Sequence, residues 1–128
     1  MTREAGTSPR LPRPAGPYSH AARVGGLIAT AGQGGADADG VLAEDITEQT
    51  RQCLANVLEA VRAGGGTEAD IIKVTVYLTD TAHFAAMNEV YRETFSEPYP
   101  ARSTVYLPLP AGMLIEVDAL AVAEKEIR

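Results

Sequence analysis

The feature that most constrains the fold is a long amphipathic segment at residues 44–66, EDITEQTRQCLANVLEAVRAGGG. From Ile46 onward, apolar side chains recur at intervals of three and four residues, which predicts a helix with one buried face. Asp45 followed by Glu48 matches a capping box, and the three glycines end the helix. Because Cys53 falls on the apolar stripe, we expect it to be a buried small hydrophobe rather than a nucleophile.

The remaining sequence predicts five strands and a second helix. In chain order they are two strands within GPYSHAARVGGLIATAGQGG (16–35), the strand DIIKVTVYLTD (70–80), the helix TAHFAAMNEVYRETF (81–95), and the strands ARSTVYL (101–107) and LIEVDALAV (114–122). The first two strands are joined at Gly25 and Gly26, a dipeptide typical of tight hairpin turns. The resulting order, ββαβαββ, indicates an α+β fold with two helices on one face of a mixed sheet.

The two faces of this sheet are predicted from the alternation of side chains along each strand. The predicted helix-covered face carries Ile72, Val74, Val76, Leu78, Val105, Ile115 and Val117. The predicted opposite face carries Thr75, Tyr77, Arg102, Thr104, Tyr106, Glu116 and Asp118. Since tyrosines mixed with opposed charges are typical of subunit contacts, we expect a homo-oligomer.

Length and composition fit one folded domain. The chain has 128 residues, 45% of them hydrophobic, and we assign residues 14–128 to a single domain and 1–13 to a flexible N-terminal segment. With one cysteine there is no intramolecular disulfide. Neither a signal-peptide core nor a membrane-spanning apolar run is recognisable, so we expect a cytoplasmic protein without a membrane partner. The net charge of −6 disfavours nucleic acid as a partner.

Arg102 is the most conspicuous candidate for chemistry, because it places a full charge within a short predicted strand. It shares a predicted face with Glu116, and two interpretations are open. Arg102 could form an ion pair with Glu116 or Asp118 at a subunit interface. Alternatively, its guanidinium could bind a substrate carboxylate through two hydrogen bonds while a protein carboxylate positions a water. The spacing of residues does not decide between them.

Other polar residues give weaker signals. His20 and His83 have no Cys, Asp or Glu at ligand spacing, so we expect no metal site. The stretch GQGGADADG, residues 32–40, lacks the framework of a phosphate-binding loop. Tyr18 could simply pack its ring or could close a pocket.

Several motifs occur together in a fixed order: GPYSHA, TAGQ, NVLEAVRAGG, IIKVTVYLTD, a helix of the form NxxYxxxF, PARSTV and IEVDALA. In this order and spacing, from about Pro14 to Val122, they resemble the RidA/YjgF family, also called the endoribonuclease L-PSP family. The resemblance implies a chorismate-mutase-like subunit that forms a homotrimer with clefts between neighbouring subunits. It also implies no metal and no organic cofactor.

The activity implied by this resemblance is the hydrolysis of reactive 2-imino acids and their enamine tautomers to 2-oxo acids and ammonia. The family's carboxylate-binding arginine falls on Arg102, and its water-positioning glutamate falls on Glu116, which makes these the expected catalytic residues. The residues expected to contact the substrate are Tyr18, Gly32, Gln33, Asn88, Arg102 and Thr104.

The sequence departs from the family pattern at three places. A cysteine that is frequent two residues after the arginine is replaced by Thr104, which removes any thiol chemistry but adds a hydroxyl donor. The serine of the family's SGQ motif is replaced by Ala31, and the proline usual after Gln33 is absent. Two other functions remain open: a non-catalytic trimer that binds small carboxylates or 2-oxo acids, and an endoribonuclease, against which the acidic charge argues.

Overall fold

The structure, a computed structural model, describes residues 2–124. Its strands are β1 (Glu4–Gly6), β2 (Ala21–Val24), β3 (Leu27–Thr30), β4 (Gln33–Gly34), β5 (Ile71–Leu78), β6 (Ala101–Tyr106) and β7 (Ile115–Val122). Its helices are α1 (Ile46–Ala63) and α2 (Phe84–Thr94), with short 3-10 segments at Glu68–Asp70 and Thr81–His83. None of the helices in this part of the chain has the length and apolar character needed to cross a membrane.

The strands form one seven-stranded sheet in the order β1-β2-β3-β7-β5-β6, with β4 paired to β7. Strands β5 and β6 are parallel, and the other strand pairs are antiparallel. The longer elements follow the predicted order ββαβαββ, so the α+β assignment with a mixed sheet is confirmed. Strands β1 and β4 are short additions that the sequence did not predict.

Helix α1 begins and ends where its sequence predicts. The Asp45 side chain accepts a hydrogen bond from the Glu48 backbone N–H at 2.8 Å, and the helix ends at Gly64. Cys53 is fully buried, and burial raises the pKa of its thiol well above the usual range. Its S–H group donates to the backbone oxygen of Gln33 at 2.9 Å. The prediction that Cys53 is buried is confirmed, and its lack of reactivity stays a prediction.

The core lies between the two helices and one face of the sheet. Its fully buried strand residues include Val74, Val76, Leu78, Ile115 and Val117, as predicted. The opposite face is uncovered within one chain. There Tyr77 donates a hydrogen bond from its hydroxyl to Asp118 at 2.9 Å, and Lys73 donates to Ser103 at 2.9 Å.

The predicted position of Ile72 in the core is wrong. The pairing of β5 with β7 shifts between Ile71 and Lys73, which marks a β-bulge at the start of the strand. The extra residue reverses the alternation at that point, so Ile71 is buried and Ile72 is 53% exposed. From Val74 onward the strand alternates as predicted.

The predicted faces of β6 are also wrong. In the parallel register, Arg102 pairs with Val74 and Thr104 pairs with Val76, so both side chains lie on the helix-covered face. Val105 pairs with Tyr77 and lies on the uncovered face, 39% exposed. Alternation predicts which residues of a strand share a face, but the register with β5 decides which face that is.

The first residues are packed against the rest of the domain, where a flexible segment 1–13 was expected. Strand β1 pairs with β2, and Ser8 and Leu11 are buried. The Ser8 backbone N–H donates to Nδ1 of His20 at 3.2 Å, and its hydroxyl donates to Glu59 at 2.6 Å. These contacts make residues from β1 onward part of the folded domain; the degree of mobility in solution stays a prediction.

Candidate active site

Arg102 lies on β6, and its guanidinium is held by α2 rather than by a carboxylate. Its Cζ atom lies 4.7 Å from the centroid of the Tyr91 ring and 5.6 Å from that of Phe84. One of its N–H groups donates to Met87 Sδ at 3.8 Å, a weak contact. Among the ion pairs of the described residues, none involves Arg102. The alternative interpretation, an ion pair between Arg102 and Glu116 or Asp118, is therefore not observed within one chain.

A cavity of about 410 Å³ opens beside this guanidinium. Its lining residues are Asn88, Tyr91, Arg92, Tyr99, Pro100 and Arg102. Arg92 is paired with Glu89 at 2.9 Å on the exposed side of α2. Among residues 2–124, the Arg102 guanidinium has a sulfur atom as its sole hydrogen-bond partner, so its donors are available to an anionic ligand in this cavity.

Glu116 lies on β7, on the uncovered face of the sheet, in a second cavity. It pairs in register with Tyr77 on one side and with Gly34 on the other. Its carboxylate is half-buried, and no hydrogen bond to it is formed by the described residues. Burial raises the pKa of Glu116, and the nearby charge of Asp118 raises it further. A carboxyl group in this environment accepts protons more readily than a solvated one.

Gly32 provides the room that the Glu116 carboxylate occupies. A β-carbon at position 32 would overlap the carboxylate and would lie 2.9 Å from its Cδ atom and 3.2 Å from Cγ. Neighbouring Gln33 is 6% exposed, and β4 ties its backbone to Val117. The short strand thus fixes the loop against the carboxylate, which explains why glycine is needed there.

Tyr18 lies at the mouth of this second cavity. Its ring is 50% exposed, and its hydroxyl oxygen accepts a hydrogen bond from the Ala15 N–H at 3.0 Å. The cavity has a volume of about 440 Å³. Its lining residues are Pro12, Arg13, Ala15, Tyr18, His20, Gly32, Gln33, Gly34, Ala36, Gly40, Leu42, Pro110, Met113 and Glu116.

The predicted site residues therefore fall into two groups that one chain does not bring together. Asn88, Arg102 and Thr104 belong to the first group, beside α2 and on the helix-covered face of β6. Tyr18, Gly32, Gln33 and Glu116 line the second cavity. Strand β5 separates β6 from β7, and the two key side chains point to opposite faces. The prediction that Arg102 and Glu116 share a face is wrong for a single chain.

The aromatic residues around Arg102 were not predicted as part of the site. Phe84, Met87 and Tyr91 lie on the apolar stripe of α2, a pattern that indicates core packing only. Nothing in the spacing of these residues indicates that they contact the charged side chain of Arg102 on β6. A parallel β5–β6 register, had it been known, would have placed Arg102 over this stripe.

His20 has a structural role, as a lone histidine near a strand often has. Nδ1 accepts the hydrogen bond from the Ser8 N–H, and Nε2 donates to the Pro12 oxygen at 2.8 Å. Both ring nitrogens are thus used to hold the first residues against the domain. Within residues 2–124, no group of three or more His, Cys, Asp or Glu side chains is arranged to hold a metal ion.

Comparison with known proteins identifies the family. Residues 9–123 match the family model described as Endoribonuclease L-PSP. A RutC family protein of Pyrococcus abyssi is 42% identical over 127 residues, covering 97% of this chain and 100% of that protein. A 2-iminobutanoate/2-iminopropanoate deaminase of Salmonella typhimurium is 40% identical over 116 residues, covering 87% of this chain and 91% of that protein.

A solved structure shares the fold. The crystal structure of E. coli TdcF with bound serine has a TM-score of 0.88 to this chain at 34% identity, covering 94% of this chain and 99% of that one. The chain belongs to the endoribonuclease L-PSP family, which is the RidA/YjgF family that its motifs resemble. Relatives within this family are named as deaminases of reactive imines.

Proposed function

We propose that this protein hydrolyses 2-imino acids and their enamine tautomers to 2-oxo acids and ammonia. The observation that carries the proposal is Arg102, whose guanidinium lines an open cavity and is held by aromatic rings instead of a carboxylate. A substrate carboxylate would find its donors free. The named deaminases among the relatives give independent support.

We further propose that the complete site forms between two copies of the chain in a homotrimer. One chain holds Arg102 and Glu116 in separate cavities on opposite faces of its sheet. A cleft between subunits could combine the Arg102 cavity of one copy with the Glu116 cavity of the next. The uncovered sheet face supports such an assembly, because it exposes the apolar side chains of Val24, Leu27, Val105, Leu120 and Val122.

In the proposed reaction, Arg102 holds the substrate carboxylate through two charge-assisted hydrogen bonds and fixes C2 in place. Glu116 takes a proton from a water whose oxygen adds to C2 of the protonated imine. The carbinolamine that results then loses ammonia. Glu116 returns the proton to nitrogen, the C2–N bond breaks, and the hydroxyl proton passes back to Glu116 as the 2-oxo group forms; the carboxyl then releases this proton to solvent. The raised pKa of Glu116 suits a group that must both accept and return a proton.

The other site residues would contact the substrate. Asn88 lies in the Arg102 cavity and offers an amide donor and acceptor. Thr104, two residues beyond Arg102 on the same face, offers a hydroxyl. From the neighbouring copy, Tyr18 would cover the substrate, and the loop at Gly32 and Gln33 would pass close to it.

The proposal is tested by trapping the imine. An amino-acid oxidase generates 2-imino acids, semicarbazide traps them, and an active deaminase lowers the yield of semicarbazone. We expect the wild-type protein to lower the yield of semicarbazone and Arg102→Ala to have no effect on it. Light scattering should show the same oligomeric state for both proteins. Arg51→Ala, which removes an exposed guanidinium paired with Glu48 and Glu93 on the helix surface, is the control and should remain active. An active Arg102→Ala protein would refute the proposed role.

Two other functions make different predictions in the same experiments. A non-catalytic carboxylate-binding trimer would bind a 2-oxo acid and leave the semicarbazone yield unchanged. An endoribonuclease, the activity in the description of the family model, would cleave RNA in a manner that depends on Arg102. The net charge of −6 gives RNA binding no support.

A further inference from the structure

We propose that Tyr91 is a positioning residue for Arg102: its ring holds the guanidinium at the cavity while leaving the N–H donors of Arg102 free. The proposal rests on the proposed function in one respect, namely that Arg102 binds the carboxylate of the substrate. It adds a residue of α2 whose spacing in the sequence indicates only core packing.

The Tyr91 ring is itself firmly placed. Tyr91 is 5% exposed, and its ring centroid lies 4.6 Å from that of Phe95, which is also buried. The Arg102 Cζ atom lies 4.7 Å from the centroid of the Tyr91 ring, within the range of a cation–π contact. The second ring, Phe84, is farther from the guanidinium, at 5.6 Å, and is partly exposed. Tyr91 is therefore the principal support.

An aromatic support suits this arginine better than an acidic one. A carboxylate partner would bind the in-plane N–H groups of Arg102, which are the same groups that would bind the carboxylate of a substrate. A ring attracts the positive charge through its π face and does not consume those donors. The remaining contact, with Met87 Sδ at 3.8 Å, is a weak one that a carboxylate ligand readily replaces.

The ring, rather than the hydroxyl, is the part of Tyr91 that acts. Its hydroxyl is buried and has no hydrogen-bond partner among the described residues. Burial raises the pKa of Tyr91 to about 12, although the charge of Arg102 opposes this shift, so the phenol is neutral at physiological pH. A phenylalanine at this position should consequently hold Arg102 as well as tyrosine does.

The test measures ligand binding separately from turnover. Binding of 2-oxobutanoate, a 2-oxo acid, is measured by calorimetry for the wild type, Tyr91→Leu, Tyr91→Phe, Val61→Ala and Arg102→Ala, together with Tm and oligomeric state. We expect Tyr91→Leu to weaken binding by roughly 2- to 30-fold, the range of cation–π contacts, and Tyr91→Phe to restore it. Val61→Ala removes buried methyl groups from α1, away from the residues that line the Arg102 cavity, and should lower Tm without a comparable change in Kd. In the deaminase assay, Tyr91→Leu should raise KM more than it lowers kcat.

Each contrary outcome has a distinct meaning. If Tyr91→Leu lowers Tm but leaves Kd unchanged, the residue is structural only and the proposal is wrong. It is also wrong if Tyr91→Phe loses as much affinity as Tyr91→Leu, or if Val61→Ala weakens binding equally. Wild-type protein that binds 2-oxobutanoate without hydrolysing imines would overturn the proposed function, whereas the comparison of Tyr91 variants would still decide this proposal. Unchanged binding by Arg102→Ala would overturn both.

Discussion

Replacing Gly32 with alanine should disable the reaction without harming the fold. The new methyl group would overlap the Glu116 carboxylate and lie 2.9 Å from its Cδ atom, where ordinary carbon contacts are about 3.5–4.0 Å. The carboxylate must therefore move by about 1 Å, a displacement that can cost on the order of 100-fold in rate when a catalytic group is misplaced. We expect a loss of that size in kcat.

The stability of the variant should not fall. Gly32 is exposed, and it is not among the glycines with positive φ, so alanine can adopt its backbone conformation. Removing a glycine also restricts the unfolded chain, which stabilises a compatible site by about 0.4–1 kcal/mol. Tm should stay level or rise slightly while activity is lost.

Gly16→Ala is the matched control for this experiment. A β-carbon there meets only the Tyr18 ring, at 3.7 Å, which is ordinary van der Waals contact. The semicarbazone assay gives kcat and KM for both variants, and thermal unfolding gives Tm. If Gly32→Ala keeps kcat within about twofold of the wild type, while its Tm is unchanged, the position of Glu116 does not govern catalysis and the proposed mechanism is wrong.

Three further outcomes are expected. Glu116→Gln should abolish turnover and raise Tm near pH 7. The pKa of Glu116 is raised in the folded protein, so the folded state binds more protons than the unfolded state and ionisation of this carboxyl destabilises the fold as pH rises. A Tm that equals that of the wild type at all pH values would contradict this. Native protein should not react with a thiol reagent at neutral pH, because burial raises the pKa of Cys53, whereas unfolded protein should react with one equivalent. Ser8→Ala should lower the free energy of unfolding by about 1.5 kcal/mol at pH 7, since its hydrogen bond lowers the pKa of Glu59. That difference should be lost as pH falls through the lowered pKa of Glu59, and a difference that persists in acid would exclude the ionised partner as its cause.

Local signals were sufficient for most of the secondary structure. The cap at Asp45 and the turn at Gly25, where φ is 59°, depend on interactions within a few residues of chain, so the sequence predicts them directly. The bulge beside Ile72 has no such signal, because an extra residue in a strand shows only when the partner strand is in place. Strands β1 and β4 are too short for a periodic pattern.

The motif match predicts which residues form the candidate site, but it does not predict how they are arranged. The motif match selects Arg102 and Glu116, and the structure places each of them in a cavity. It does not place them together, because the strand order puts β5 between them and the parallel register turns Arg102 toward α2. The surroundings of Arg102, with Tyr91 as its nearest ring, follow from that register.

The amino-acid sequence by itself determined the order of elements, the buried faces of α1, β5 beyond its bulge and β7, and the identity of the residues that carry charge into the sheet. Only the tertiary structure decided that Arg102 lies on the helix-covered face and that aromatic rings of α2 support it. The physical reason is that alternation and helical spacing are properties of one segment. The face of a strand and the neighbours of a side chain depend on register and strand order, which bring together residues far apart in the chain.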